Sequence, residues 1–345
     1  VLGNAANTYT GATTVSNGTL ALGSAGSLPD ASNLVLDGGV LQTSGTWDRL
    51  LGTGADQFQF MPSGANAAKF SGGFSGGDAK LVLDWSAGGV PIWGGTTHFL
   101  GTRNGLILSS TVALSEVEIA SDFSLGTASG AAKTPTVTTT NSSPTIAFTA
   151  GDTSGLQIGQ FISGTSIPVG AYIVSIDSAT SITISANVGS SSGTTGVAAT
   201  IGGSNMRPIR VDDNTVTGTD FATITGDISG DAGTGIRKLG TGVLQLFGEN
   251  TYSGETNVAQ GTLVVTSLGL STEAATGTSV GTNIGANTVA QALTLGNGVT
   301  GAGILQYVGT GEISDRMIRL NTTTGSTQIH ADGSGALILT NVLND

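Results

Sequence analysis

The chain contains the same fourteen-residue phrase twice, and this repetition constrains its fold more than any other feature. The phrase reads NTYTGATTVSNGTL at residues 7–20 and NTYSGETNVAQGTL at residues 250–263, with nine of the fourteen positions identical. Neither copy contains a histidine, a cysteine or a cluster of acidic residues, so shared chemistry does not explain the repetition. Recurrent phrases are typical of folds whose units contact only their neighbours.

Short alternating apolar runs indicate β-strands along most of the chain. They include NLVLDGGVLQT at residues 33–43, TGVLQLFG at 241–248 and GALILTN at 335–341. Each run is bounded by Gly, Asn or Asp, as expected of strands between tight turns. Because no segment combines a helical period with capping signals, we predict an all-β fold.

A sandwich, a barrel and a solenoid could all be built from such strands, and the repeats favour the solenoid. A second phrase recurs as GTGVLQL at residues 240–246 and GSGALIL at 333–339, and Leu20 and Leu41 lie about one coil apart. In a β-solenoid each strand pairs with the equivalent strand of the next rung at ~4.8 Å. The fourteen-residue phrase would then recur because the same corner is built twice.

The repeated phrases also predict which side chains face the core and which residues turn the chain. The alternation predicts near-complete burial of Leu20, Leu36, Leu244, Leu246 and Leu263 in stacked parallel strands. Glycines that tolerate positive φ are expected at the corners, namely Gly11, Gly18, Gly254 and Gly261. Tyr9 and Tyr252 occupy the same position of the phrase, which favours a structural role for both.

Charge and composition exclude several function classes. The net charge is −12 with only 11 Lys and Arg residues, so the surface repels nucleic acid and anionic membranes. The chain has no cysteine, which excludes disulfides and thiolate metal sites. No apolar run approaches the ~18 residues of a membrane span. The chain starts at Val1 without a visible signal peptide, which suggests a processed product or a window of a longer protein.

One segment departs from the solenoid pattern. Four of the seven prolines lie between Pro135 and Pro208, and residues 134–201 contain the run GLQIGQFISGTSIPVGAYIVSIDSATSITIS. We predict a small β domain inserted into a solenoid loop, which divides the chain into solenoid at 1–133, inserted domain at 134–201 and solenoid at 202–345. An ordinary long solenoid excursion is the alternative. Deleting the segment should leave the solenoid folded if rung pairing does not pass through it.

The run GTGVLQLFGENTYSGETNVAQGTLVV at residues 240–265 resembles the autotransporter-associated β-strand repeat, also called the passenger-associated transport repeat. The resemblance extends over the start of the chain to about Leu125 and from about Met206 to the end. It implies a right-handed parallel β-helix in a bacterial surface or secreted protein, and it carries no general catalytic residues. The inserted segment resembles small β modules of bacterial surface proteins and phage tail-associated proteins.

The run RPIRVDDN offers the best cluster for chemistry. A polysaccharide-degrading β-helix needs clustered carboxylates in a groove, and the cluster here consists of Arg207, Arg210, Asp212 and Asp213. The same residues also fit a turn in which the arginines pair with the acids. Calcium binding is a further alternative, with Asp212, Asp213, Asp227 and Asp231 as ligands, although GDISGDAGTG at residues 226–235 lacks EF-hand spacing.

Histidines and aromatic residues give weaker signals. His98 and His330 are the only histidines and lie too far apart in sequence to indicate zinc or a catalytic triad. The tryptophans could form a sugar-stacking platform or close gaps in the core, and they are Trp47, Trp85 and Trp93. Asn17, Asn141 and Asn321 head glycosylation sequons.

These features together predict a non-catalytic, extracellular structural element of a bacterial surface fibre, without catalytic, metal or cofactor residues. An adhesin that binds glycan or protein through the inserted module or loops is the first alternative, and a polysaccharide-degrading enzyme is the second. If a second copy of the chain followed Asp345, the phrase GSGALIL would lie upstream of that copy's NTYTG phrase. Within the chain, GTGVLQL lies upstream of NTYSG in the same order. This order predicts head-to-tail association or continuation of a longer chain, since heterologous contacts that do not close generate filaments.

Overall fold

A computed structural model of the chain describes residues 1–61, 68–189, 196–231, 233–271, 282–286, 293–297, 302–322 and 325–341. Within these ranges the chain is all-β, as the sequence predicts, with 3₁₀ turns at Ala25–Ser27 and Ser86–Gly88. No helix in the described residues has the length and apolar character needed to cross a membrane.

Two long ladders of parallel strands form the body of the molecule. The first ladder contains β2 (Thr19–Ala21), β4 (Val40–Trp47), β7 (Ala68–Leu83), β8 (Gly105–Leu108), β17 (Met206–Val211), β20 (Gly235–Leu239), β22 (Thr256–Val258), β24 (Leu293–Leu295) and β27 (Ile318–Leu320). The second continues from β4 and β7 through β9 (Val117–Ile119), β18 (Ala222–Ile224), β21 (Val243–Leu246), β23 (Gly261–Val265), β25 (Gly303–Tyr307) and β28 (Gln328–Ala331).

Shorter parallel ladders accompany the two long ones. They join β1 (Thr13–Val15), β3 (Leu34–Leu36), β6 (Gln57–Phe60) and β5 (Leu50–Leu51), then β10 (Phe123–Ser124) with β19 (Ile228–Ser229), and β26 (Glu312–Ser314) with β29 (Leu337–Leu339). We call all of these parallel strands together the parallel stack.

The parallel stack continues directly across the segment that the sequence sets apart. Strands β8 and β17 lie on either side of residues 134–201 in sequence, yet Ile107 pairs with Arg210. Likewise, Glu118 of β9 pairs with Thr223 of β18. Rung pairing therefore bypasses the intervening residues.

Side chains on the inward face of the stack form one continuous core. Four of the five leucines predicted to be buried, Leu36, Leu244, Leu246 and Leu263, have 0% exposure. For Leu20 the prediction is wrong, because this residue is only partly buried and packs at the margin of the core. Its strand β2 pairs along its length with β4 alone, and on the other side only an isolated bridge from Leu2 to Leu22 lies beside it, so Leu20 is covered less completely on that side.

Shortening Leu244 to Ala should lower the free energy of unfolding by about 2–5 kcal/mol, since it leaves a cavity in a packed core. Leu244 lies between Ala222 and Leu263 in the second ladder, where rigid strands limit collapse of the cavity. Urea denaturation measures the change. Val216→Ala is the matched control because Val216 is 88% exposed, and an equal loss in both variants would contradict the predicted burial.

The two copies of the repeated phrase build the same corner. The Tyr9 hydroxyl hydrogen-bonds the Thr13 hydroxyl at 2.9 Å, and the equivalent Tyr252 and Thr256 hydroxyls lie 2.7 Å apart. Tyr9 is 37% exposed, whereas Tyr252 is fully buried. In each copy the hydrogen bond between the tyrosine and threonine hydroxyls stabilises the turn before the strand, which is β1 in the first copy and β22 in the second. The bond is present both where the tyrosine is exposed and where it is buried.

Two of the four corner glycines need the left-handed conformation. Gly18 and Gly261 have φ of 64° and 73°, as predicted. Gly11 and Gly254 do not have positive φ, so that part of the prediction is wrong. Gly254 is required for another reason: a Cβ there would lie 2.2 Å from the carbonyl carbon of Thr234 in the neighbouring rung.

The described residues at 136–189 and 196–201 fold differently, into antiparallel strands that we call the module. Its strands are β11 (Thr136–Thr139), β12 (Thr145–Ala150), β13 (Ile162–Gly164), β14 (Ile173–Ser178), β15 (Ser181–Ile184) and β16 (Val197–Ile201). Lys133 and Ile201 exchange both backbone hydrogen bonds. The chain therefore enters and leaves the module at adjacent points.

The module packs against the outer face of the parallel stack. Its core is continuous with buried side chains that point outward from the first ladder, including Val40, Ile107 and Leu239. Strand β14 also pairs antiparallel with the start of β7, at Ile176 opposite Ala68. The division of the chain into domains at residues 133 and 201 stays a prediction, and the packing shows that the module shares its core with the stack.

Candidate functional site

The structure disperses the arginine and aspartate cluster of RPIRVDDN. Arg207 is 1% exposed and donates hydrogen bonds to four backbone carbonyls, those of Trp93, Thr102, Leu125 and Thr127. Its guanidinium also lies over the Trp93 ring at 5.4 Å. Burial lowers the pKa of Arg207 to about 10, so the side chain stays charged at neutral pH. These contacts make Arg207 a structural cross-link between neighbouring loops.

The other members of this cluster lie at the surface of the stack. Arg210 pairs with Asp212 at 3.1 Å, as the turn interpretation expects. Partial burial, and then the nearby carboxylate of Asp220, raise the pKa of Asp213. Arg207 is held in the interior, so Arg207 and Asp213 do not form a catalytic pair in a shared groove.

Two of the candidate calcium ligands, Asp227 and Asp231, accept local hydrogen bonds. Asp227 accepts the backbone N–H of Glu249 at 2.7 Å, and Asp231 accepts the hydroxyl of Thr127. Across the described residues, no group of three or more His, Cys, Asp or Glu could hold a metal ion. The arrangement of these aspartates therefore fits loop stabilisation.

The tryptophans and histidines do not come together in a site. Trp47, Trp85 and Trp93 are at most 8% exposed and belong to the core of the stack, where Trp85 packs edge-on against Phe99. Their faces cannot stack on a sugar. His98 is half-buried, whereas His330 is exposed on β28 and hydrogen-bonds Gln328 at 2.7 Å.

A groove of about 790 Å³ lies where the module meets the parallel stack. Its floor follows the outward face of the first ladder, from Thr19 through Val40 and Ile107 to Arg210. Strand β14 of the module forms one wall with residues 174–177. We call this feature the module groove, and it runs across the strands, along the direction in which rungs stack.

Charged and polar side chains surround the module groove. Lys69 pairs with Asp37 at 2.7 Å, while Arg210 pairs with Asp212 and stacks over the Phe70 ring at 5.0 Å. These residues and Asp177 line the groove. The sequence indicates Arg210 and Asp212 but not Asp37, Lys69 and Asp177. These three residues belong to distant segments of the chain that come together only in the folded structure.

Asn104 adds an unsatisfied polar group to the module groove. The residue is 2% exposed and lines the groove. Its side-chain nitrogen donates to the Ser71 hydroxyl, but its Oδ1 is buried without a hydrogen-bond partner. A buried unpaired carbonyl is costly, and this oxygen is enclosed by the protein and does not face the open groove.

A buried lysine lies elsewhere in the stack, and sequence reasoning missed it. Lys238 is 0% exposed at an inward position, between Ile209 and Val258 in the first ladder. Its Nζ donates to the carbonyls of Gly240 at 2.6 Å and Gln260 at 2.9 Å. The alternation in GIRKLG could have indicated this burial, because Lys238 lies two residues after Ile236 and therefore on the same face of the strand.

The stability of the protein should depend on the charge of Lys238. Burial lowers the pKa of Lys238 from 10.5 to about 7, so above pH 7 the unfolded chain binds a proton that the folded chain does not. Stability should therefore rise with pH between about 7 and 10, by up to about 1.4 kcal/mol per pH unit from this group. Urea denaturation at pH 7 and 9 tests this against Lys238→Met, which lacks the titrating group. Identical pH dependence in both proteins would contradict it.

The comparisons with known proteins agree with the repeated phrase. A family model of the passenger-associated-transport-repeat matches residues 1–22 and 236–265, which contain the two Tyr–Thr corners. The chain therefore carries passenger-associated transport repeats, over shorter segments than the sequence resemblance predicts. No curated protein and no solved structure matches the chain.

Proposed function

We propose that this repeat-bearing chain is part of a bacterial surface or secreted passenger protein and serves as a stiff, non-catalytic element of an extracellular fibre. In this proposal the parallel stack winds as a right-handed β-helix. The repeat family is one of passenger domains and not of enzymes, which supports the surface location and the non-catalytic role.

The observation that carries the proposal is the continuity of the two long parallel ladders. Equivalent core positions remain stacked from rung to rung, as in Leu244, Leu263 and Leu305. Bending such a stack would break backbone hydrogen bonds and separate packed side chains at the same time. The ladders therefore support a mechanical role along the stacking direction.

Both ends of the described stack support a further rung. Side chains that pack at the margin of the core are only partly buried there, and they are Leu20, Leu22, Leu320, Ile329, Leu337 and Leu339. Strands with open edges readily pair with another strand. We propose that a rung of a second copy, or of a longer chain, covers these edges and extends the fibre head to tail.

Substituting Leu339 with Glu should block head-to-tail association, because it places a charge against the apolar edge that the next rung would cover. Ile338→Glu is the matched control because it adds the same charge at the adjacent residue. Ile338 is 49% exposed, whereas Leu339 packs against the core. Negative-stain electron microscopy and analytical ultracentrifugation over a concentration series measure assembly. The proposal expects filaments for the natural chain and Ile338→Glu, and monomers for Leu339→Glu. Compact monomers of the natural chain at every concentration would contradict it.

A further inference from the structure

We propose that the module groove binds a neutral, linear glycan lying along the stacking direction. This inference goes beyond the mechanical role and does not depend on filament formation. It rests on the shape of the groove and the pattern of its polar groups.

The length and direction of the groove fit an extended polymer. Its floor spans five consecutive rungs, because the lining residues Thr19, Val40, Ile107 and Arg210 are joined in register through Gly73. Four rung steps of about 4.8 Å give a length of roughly 19 Å. A linear β-1,4-linked sugar chain advances by a similar distance for each residue, so successive sugars would meet successive rungs.

A peptide fits this groove less well. Peptides that bind sheets usually add a strand to a free edge, whereas the groove crosses the strands over their faces. The backbone groups of β4, β7, β8 and β17 are already paired within the first ladder. A peptide lying along the groove would therefore leave most of its own backbone groups without partners.

The charges of the groove favour a neutral ligand. Three carboxylates, those of Asp37, Asp177 and Asp212, face two cations, Lys69 and Arg210, and the whole chain carries a net charge of −12. This balance repels polyanions. Sugar hydroxyls both donate and accept hydrogen bonds, so they can serve the carboxylates and the cations alike.

The polar groups of the groove come from both of its walls. Asp37, Lys69 and Arg210 belong to the parallel stack, and Asp177 belongs to the module. A small number of convergent polar groups of this kind is typical of ligand sites.

Isothermal titration calorimetry of the full chain with cellotetraose and chitotetraose tests the proposal, with tetragalacturonate as the acidic comparison. We expect saturable binding of at least one neutral tetramer and weaker binding of the acidic one. Asp177→Asn and Lys69→Met should each weaken binding roughly tenfold, the effect of about one hydrogen bond to a charged group.

Lys80→Met is the matched control, because Lys80 is a partly exposed cation that pairs with Glu116 outside the groove. It should bind the tetramers as the natural chain does, and circular dichroism should show that all variants remain folded. The proposal is overturned if neither neutral tetramer binds up to about millimolar concentration, if tetragalacturonate binds more tightly, or if Lys80→Met weakens binding as much as Asp177→Asn. Using the non-assembling Leu339→Glu variant as a second background separates binding from fibre formation.

Discussion

A chain that lacks residues 134–201, closed by a short Gly/Ser bridge, should aggregate even though its parallel ladders remain possible. The bridge is feasible because Lys133 and Ile201 are backbone partners. Deletion, however, uncovers apolar side chains on the outer face of the stack, namely Val40, Phe70, Ile107 and Leu239. Exposing each large apolar side chain costs about 1.5–3 kcal/mol, which gives roughly 6–12 kcal/mol in total.

The matched variant carries the same deletion with those four residues replaced by Thr or Gln. Rung pairing between β8 and β17 does not pass through the module, so this second protein should be soluble and retain its β signal. Size-exclusion chromatography, circular dichroism and protease resistance compare the two. If both proteins lose their β signal, the module is required for the stack itself. If the unmodified deletion is monodisperse and folded, the packing of the module contributes little.

Arg207→Met should lower the free energy of unfolding by about 4 kcal/mol or more, or prevent folding. The side chain donates to the carbonyls of Trp93, Thr102, Leu125 and Thr127, and each unpaired buried polar group costs about 1–3 kcal/mol. Methionine fills a similar volume but supplies no donor. The loss should therefore exceed that of an ordinary core truncation, because several loops lose their common partner together.

Two further variants separate hydrogen bonding from charge. Arg207→Lys keeps the charge but reaches fewer carbonyls, since an ammonium lacks the planar fork of guanidinium, and it should restore only part of the stability. Arg319→Met removes an arginine that is exposed on β27 and should be nearly neutral. Chemical denaturation measures all three variants, and a loss in Arg207→Met as small as in Arg319→Met would contradict the role of Arg207.

Alternation and repetition predicted much of the all-β fold because they are local signals. Leu244 and Leu263 lie at the same position of the alternating pattern, and they are register partners in the second ladder. Leu20 carries the same signal but is only partly buried, because burial also depends on whether a rung lies on each side. The sequence predicts a positive φ for Gly254, whereas its actual constraint is the close approach of a neighbouring rung.

The packing of the module was harder to predict, although the sequence contained a signal. Val40 and Leu41 are consecutive apolar residues, as are Leu106, Ile107 and Leu108, and strands buried on both faces show such runs. The runs indicated a cover on the outer face but not which segment provides it. The module groove could not be predicted, because its walls come from the stack and the module together. The sequence also makes Arg207 a candidate for chemistry, because a sequence does not distinguish an arginine that faces carbonyls from one that faces a substrate.

The chain has no cysteine, so engineered cysteine pairs can test the parallel stack directly. Glu118 and Thr223 are register partners across the module, and Gln245 lies one rung further. Neighbouring rungs place Cα atoms about 4.8 Å apart, within disulfide range, whereas two rungs exceed the ~7 Å limit. After mild oxidation, mass spectrometry should find a disulfide in Glu118→Cys with Thr223→Cys and none in Glu118→Cys with Gln245→Cys. A disulfide in the second pair but not in the first would contradict the stacking of strands across the module.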